Sequence, residues 1–186
     1  MLVKIRSIAN IGLETVPVDV EVDVATSGFP GFTIVGLPSK AVEEARERVK
    51  TAIINSNFEF PPKKITINLA PADLPKDGAA YDLPIAIGVL LASEQLILPA
   101  DFDLTKSFFY GELSLDGALR PTKGILLLGL FAQKSTKNGF IFVPKPSAAE
   151  ASMVGGINVI ALESLSQLMR HLMMQEKISP LKHIVI

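Results

Sequence analysis

Between residues 73 and 84 the chain sets Lys76, Asp77 and Asp82 around Gly78, Ala79 and Ala80, immediately ahead of an apolar helical stretch. A glycine turn followed by a helix start offers the free amides that an acyl-transfer site can use. Such a site needs a hydroxyl whose proton a desolvated base takes, beside helix amides that hold an oxyanion. No serine stands just ahead of that helix, where positions 79 to 81 read Ala-Ala-Tyr. Ser114 and Thr122 are the alternative hydroxyls, near the charged residues Glu112, Asp116, Arg120 and Lys123. Neither His171 nor His183 can be tied to them by spacing, so no base is identified.

The plainer reading of the same charges is structural. Asp82 caps the following helix by accepting from its free first-turn amides, with Pro84 tolerated there for want of an intrahelical partner. Asp77-Gly78 and Asp116-Gly117 are turns, Gly124 opens a helix, and Lys76 is a solvated loop residue. The sharper alternative makes Lys76, Arg120 and Lys123 a basic rim for a phosphate backbone or an acidic partner, with Lys63 and Lys64 as a second cluster.

Other chemistries find little footing. The chain has no cysteine, which excludes disulfides and thiolate ligands, and its two histidines lie twelve positions apart, outside the spacing of a helical metal pair, so no metal site is expected. Gly36-Leu37-Pro38-Ser39-Lys40 echoes a phosphate loop, but its proline removes an amide where the cradle needs one. It reads as a strand-to-helix turn.

The elements that must position these residues follow from periodicity. Residues 1–12 alternate as a strand. Val16 to Ala25 alternate strictly, valines on one face and Asp19, Glu21 and Asp23 on the other, and Phe32 to Leu37 form a second strand that pairs with the first. Ser39 caps a helix from Lys40 to Asn55 whose buried stripe is Val42, Ala45, Val49, Ala52 and Ile53, with Glu44 and Arg48 paired on the solvated face. Lys64 to Leu69 is another strand. The helix from Asp82 to about Glu94 is apolar on most sides, which predicts deep burial. Strands at Phe108–Leu115 and Ala118–Arg120 flank the Asp116-Gly117 turn. Then come a helix from Lys123 to Lys134, a strand from Phe140 to Val143, a helix from Ser147 to Val154, a strand from Ile157 to Ala161 and a helix from Ser164 to Gln175. A hairpin-rich front half and a back half of alternating helix and strand predict an α+β fold with a mixed sheet.

With 186 residues, 48% of them hydrophobic and 20% charged, the chain is long enough for one well-buried domain, placed at residues 1–175. Residues 176–186 read as the start of a linker, since the tail Leu181 to Ile186 is apolar with no element after it. The net charge of −1 gives no global field toward nucleic acid. No run reaches membrane-span length and the amino terminus lacks a signal-peptide core, so a cytoplasmic location without membrane contact is expected.

Three stretches, GFPGFTIVGLPSKAVEEARERV, NLAPADLPKDGAAYDLP and YGELSLDGALRPTKG, together resemble the amino-terminal domain of the ComM/YifB magnesium-chelatase-like AAA+ proteins, a domain similar to the Lon protease domain. The Lon motif runs proline-lysine-aspartate-glycine-proline-serine-alanine-glycine. Its first four letters match Pro75 to Gly78, and its nucleophile falls on Ala80. Its lysine, in the helix after a proline-x-glycine-glycine turn, falls on Leu126. The resemblance thus implies a Lon-like fold with a degenerate dyad, Ala80 and Leu126, filled by apolar side chains.

It implies further a noncatalytic accessory domain of a hexameric AAA+ motor active in DNA uptake and recombination, serving ring assembly or DNA contact. ATP and magnesium belong to the module that follows in that architecture; no cofactor is expected for this chain. Two alternatives stand beside it, a residual hydrolase using another hydroxyl and a metal-chelatase accessory module.

Overall fold

The structure, a computed structural model, describes residues 1–185; Ile186, the last residue of the expected linker, lies outside the described residues. Strands β1 (Leu2–Ile11) and β2 (Glu14–Val24) form an antiparallel hairpin in register from Leu2 opposite Asp23 to Ile11 opposite Glu14. The alternation of β2 does what its period dictates: Val18, Val20, Val22 and Val24 are buried, while Asp19, Glu21 and Asp23 stay half-exposed on the other face.

After β3 (Gly31–Val35), helices α1 (Lys40–Glu43) and α2 (Ala45–Asn55) lead to β4 (Lys64–Ala70), and α3 (Asp82–Ala92) follows. Next come β5 (Ser107–Phe109), the small hairpin β6 (Glu112–Leu113) and β7 (Leu119–Arg120), and α4 (Ile125–Ser135). The chain closes with β8 (Phe140–Pro144), α5 (Ala148–Ser152), β9 (Asn158–Leu162) and α6 (Leu165–Leu172). Seven strands make one mixed sheet in the order β3-β4-β2-β1-β5-β8-β9. Only the β1–β2 and β2–β4 pairings are antiparallel, so six strands point one way and β2 runs against them.

β3 pairs with β4, in parallel, and not with β2 as the sequence suggested. Both edges of β2 are taken, by β1 and β4, and the helical crossover between β3 and β4 supplies the length that a parallel pairing needs. The expected helix from Lys40 to Asn55 is divided at Glu44, where the chain tightens locally and Glu47 N bonds to Glu44 O at 3.2 Å. Ser39 does cap it, accepting from Val42 N at 3.3 Å.

All eleven residues of α3 are buried. It crosses β1 and β2 closely enough that a Cβ at Gly88 would lie 2.3 Å from Val22 Cγ2. Opposite faces of β1 and of the back-half strands feed two cores. Phe109, Phe142, Ile160 and Leu162 join the cluster of α2, α3 and α6, whereas Ile8, Phe108, Ile141, Val143 and Val159 join that of α4 and α5. Burial on both faces explains why β8 reads Phe-Ile-Phe-Val without alternation while the singly covered β2 alternates strictly. Beyond α6 the chain turns back: Leu181 N bonds to Val159 O and Ile184 N to Ser152 O, both at 2.9 Å. Among the described residues no helix is long and apolar enough to cross a membrane.

Candidate functional site at the carboxyl edge of the sheet

Because six strands point one way, the loops after β3, β4, β5 and β8 gather at one edge of the sheet, where open α/β sheets place their ligands. The loop of residues 71–81 crosses this edge. Its backbone bridges the β3–α1 turn, with Lys76 N donating to Leu37 O at 3.1 Å and Ser39 N to Lys76 O at 2.9 Å. Those bonds occupy the Ser39 amide and the Leu37 carbonyl of the phosphate-loop echo. Gly36, at φ +98°, lies so close to β4 that a Cβ there would sit 2.3 Å from Leu69 O. The turn is closed by protein and leaves no cradle for a phosphate.

Lys76 is 1% exposed, which overturns its expected place on a basic rim. Its ammonium donates to Gly36 O at 2.8 Å and to Pro71 O, so it ties the ends of β3 and β4 together from inside. Burial pulls its pKa below the ordinary lysine value. The sequence could not show this, because a lysine stem is long enough to bury its head among carbonyls as readily as to reach water.

Asp82 is wholly buried as the first residue of α3 and does not cap it. Its carboxylate turns away from the first turn and takes the Arg48 guanidinium in a fork, Nε at 2.8 Å and Nη2 at 3.0 Å, together with Leu113 N at 3.1 Å. Burial pushes the carboxyl up to about 6, opposed by Arg48 and the Leu113 amide. The Asp82 bond raises the Arg48 pKa in turn. The expected Glu44–Arg48 pair exists only loosely, at 3.9 Å, and Arg48 faces inward. One signal was available: Arg48 stands three residues after Ala45 and four before Ala52, on the border of the buried stripe.

The oxyanion chemistry expected of such a helix start is already answered by backbone. Asp82 N donates to Ala79 O at 3.2 Å, Leu83 N to Gly111 O at 3.0 Å and Ile85 N to Tyr81 O at 3.0 Å, while Pro84 has no N–H. Tyr81 donates its hydroxyl to Ile8 O at 3.0 Å, and burial raises its pKa. Ala80, 5% exposed, shares an apolar cluster with Ile125 and Leu128 of α4.

Leu126 is not the buried filling that the degenerate-dyad reading expected. It is 36% exposed. Gly124 enters α4 at φ +88°, Ile125 takes the inward position, and one residue of helical rotation turns Leu126 outward.

The remaining candidates divide between the two edges. Gly78 and Gly117 sit in turns at φ +89° and +87°. Arg120 is exposed and faces Glu112 across the β6–β7 hairpin at 3.8 Å; Lys123 is exposed just before α4. Lys63 and Lys64 lie at the opposite edge, about 20 Å away along β4 at the usual strand rise. The structure therefore does not join them to Arg120 and Lys123. Ser114 donates to Asp116 Oδ1 and lies 3.2 Å from Ala118 O, and Thr122 donates to Arg120 O at 3.0 Å while accepting from Glu112 N. Both hydroxyls hold the hairpin, and neither bonds to a lysine or histidine. His171 Nδ1 accepts from Ile178 N at 2.9 Å, and His183 lies against Ser152 O.

Comparison with known proteins adds the family. Residues 20–147 match the family described as subunit ChlI of Mg-chelatase. The chain is 45% identical over 175 residues to the competence protein ComM of Haemophilus influenzae, covering 94% of this chain and 33% of that protein. It is 49% identical over 146 residues to the protein YifB of Salmonella typhimurium, covering 78% and 28%. The YifB of Escherichia coli is 47% identical over 157 residues, covering 84% and 30%. The chain thus spans about a third of the length of the curated relatives it matches.

Proposed function

The chain belongs to the family of Mg-chelatase subunit ChlI, and on that premise we propose that it is a noncatalytic accessory domain of a larger ComM-like AAA+ motor that acts on DNA during uptake and recombination. The domain serves ring assembly or DNA contact, and ATP and magnesium are bound by a separate ATPase module. Residues 1–175 are the body of the domain, against which residues 176–185 turn back. The observation that carries this reading is the packed carboxyl edge. Ala80 is buried where a Lon-like nucleophile would stand, and the first-turn amides of α3 are spent on backbone carbonyls. A motor's accessory frame needs such rigidity, whereas a hydrolase needs an open oxyanion site.

The experiment compares the full-length protein with a form lacking residues 1–175 for ATP hydrolysis and for ATP-driven strand exchange on branched DNA. The expected result is ATPase activity in both, with strand exchange lower by at least about tenfold in the deletion, a coupling of about 1.4 kcal/mol or more. Equal strand exchange by the two forms contradicts the proposal. The family description favours one second reading, an accessory to metal insertion. Magnesium insertion into a porphyrin by the full-length protein would decide for it.

A further inference from the structure

At the amino edge of the sheet, opposite the packed loops, an open cleft of about 620 Å³ is lined by Phe32, Arg46, Lys50, Phe60 and Lys63 among others. Glu47 is the one carboxylate in its wall. Phe32 and Phe60 meet at a centroid distance of 5.2 Å, and Lys50 Nζ stands 5.7 Å from the centre of the Phe60 ring. Beside the cleft, in the turn before β3, Phe29 is 93% exposed. Among the described residues Arg46, Lys50, Lys63 and the adjoining Lys64 enter no ion pair, in contrast to Arg120.

We infer that this cleft is the DNA-contact surface of the domain and that it holds a single strand, with phosphates on Arg46, Lys50 and Lys63 and a base stacked on Phe29. The inference rests on the proposed action on DNA. Unpaired cations beside exposed aromatic faces are the combination that tracks a backbone and stacks unpaired bases. An acidic peptide would use the cations and leave Phe29 without a partner. A duplex keeps its base faces stacked inside and offers Phe29 nothing. The chain's net charge of −1 leaves such a local cluster as the means of attracting phosphate.

The test titrates the full chain against fluorescein-labelled oligo-deoxythymidine, a duplex and polyglutamate, following anisotropy over a range of salt. Phe29→Ala, at an exposed turn, is expected to weaken single-strand binding roughly five- to a hundredfold while leaving duplex binding and the salt slope unchanged. The triple variant Arg46→Glu, Lys50→Glu, Lys63→Glu is expected to lower the salt slope by about 2. Circular dichroism confirms that both variants keep the fold. If the wild-type chain binds the oligonucleotide and both variants bind equally well, the cleft is not the contact surface and the proposed function stands. If polyglutamate competes as strongly as oligo-deoxythymidine, the site is one for acidic protein and the inference fails. If the wild-type chain binds no oligonucleotide even at low salt, the cleft inference and the DNA-contact role fall together, leaving ring assembly.

Discussion

Replacing Arg48 by methionine will destabilise the chain by about 3 to 5 kcal/mol at neutral pH, a larger loss than removing any solvated ion pair of this fold. The methionine fills much of the same space but leaves the wholly buried Asp82 carboxylate with only the Leu113 amide. The fork joins α2 to the start of α3, and the Leu113 bond adds β6, so the loss loosens three elements at once. The pH dependence identifies the cause. Asp82 sits at about 6, above its unfolded value, so the stability that it contributes is complete below about pH 4 and is lost as pH rises through about 6. The cost of losing Arg48 is therefore least near pH 4, where the acid is neutral, and rises as pH passes through about 6. Urea unfolding of the single variant and of Arg48→Met with Asp82→Leu measures this. The double variant recovers most of the loss if an unpaired charge is responsible, and none of it if lost arginine packing is.

Gly36→Ala is the second large effect, expected at roughly 3 kcal/mol or more. Two costs add: a left-handed backbone at φ +98°, and a Cβ driven to 2.3 Å from Leu69 O, a backbone atom of β4, which is paired on both edges and cannot step aside. Gly12→Ala separates them, since Gly12 lies at φ +61° with no heavy atom within 4 Å of the added carbon, and its cost is expected near 1 kcal/mol. Gly36 O also accepts from Lys76, so the variant will speed hydrogen exchange in residues 71–81 beyond the global loss of stability. Equal costs at the two glycines would show that strain alone governs Gly36.

The parts of the fold legible in the sequence were those that one period decides. The valines of β2, the stripe of α2 and the all-apolar α3 each fall on the buried positions that spacing assigned. Strand partnership was not legible, because alternation in β3 says which face is buried but not which neighbour it meets. Side-chain direction was the second gap. Lys76, Arg48 and Asp82 are residue types usually found in water, and each is held inside by partners distant in sequence: Gly36, Asp82 and Leu113. Leu126 failed for a smaller reason, since one residue of phase at the left-handed Gly124 entry exchanges Ile125 for Leu126 as the inward side chain. The same gap hid the amino-edge cleft, whose phenylalanines lie in β3 and in the segment before β4 and meet only in the folded chain.

The claim that this family frame carries no acyl-transfer chemistry of its own is tested most directly by incubating the purified chain with casein and fluorogenic peptides, with and without a serine-directed fluorophosphonate. Ala80 offers no nucleophile, Ser114 and Thr122 spend their hydroxyls within the hairpin, and the α3 amides are occupied. The expected result is no turnover above buffer and no covalent labelling. Turnover that co-purifies with the chain and is abolished by the fluorophosphonate, with the label on one hydroxyl, would contradict it.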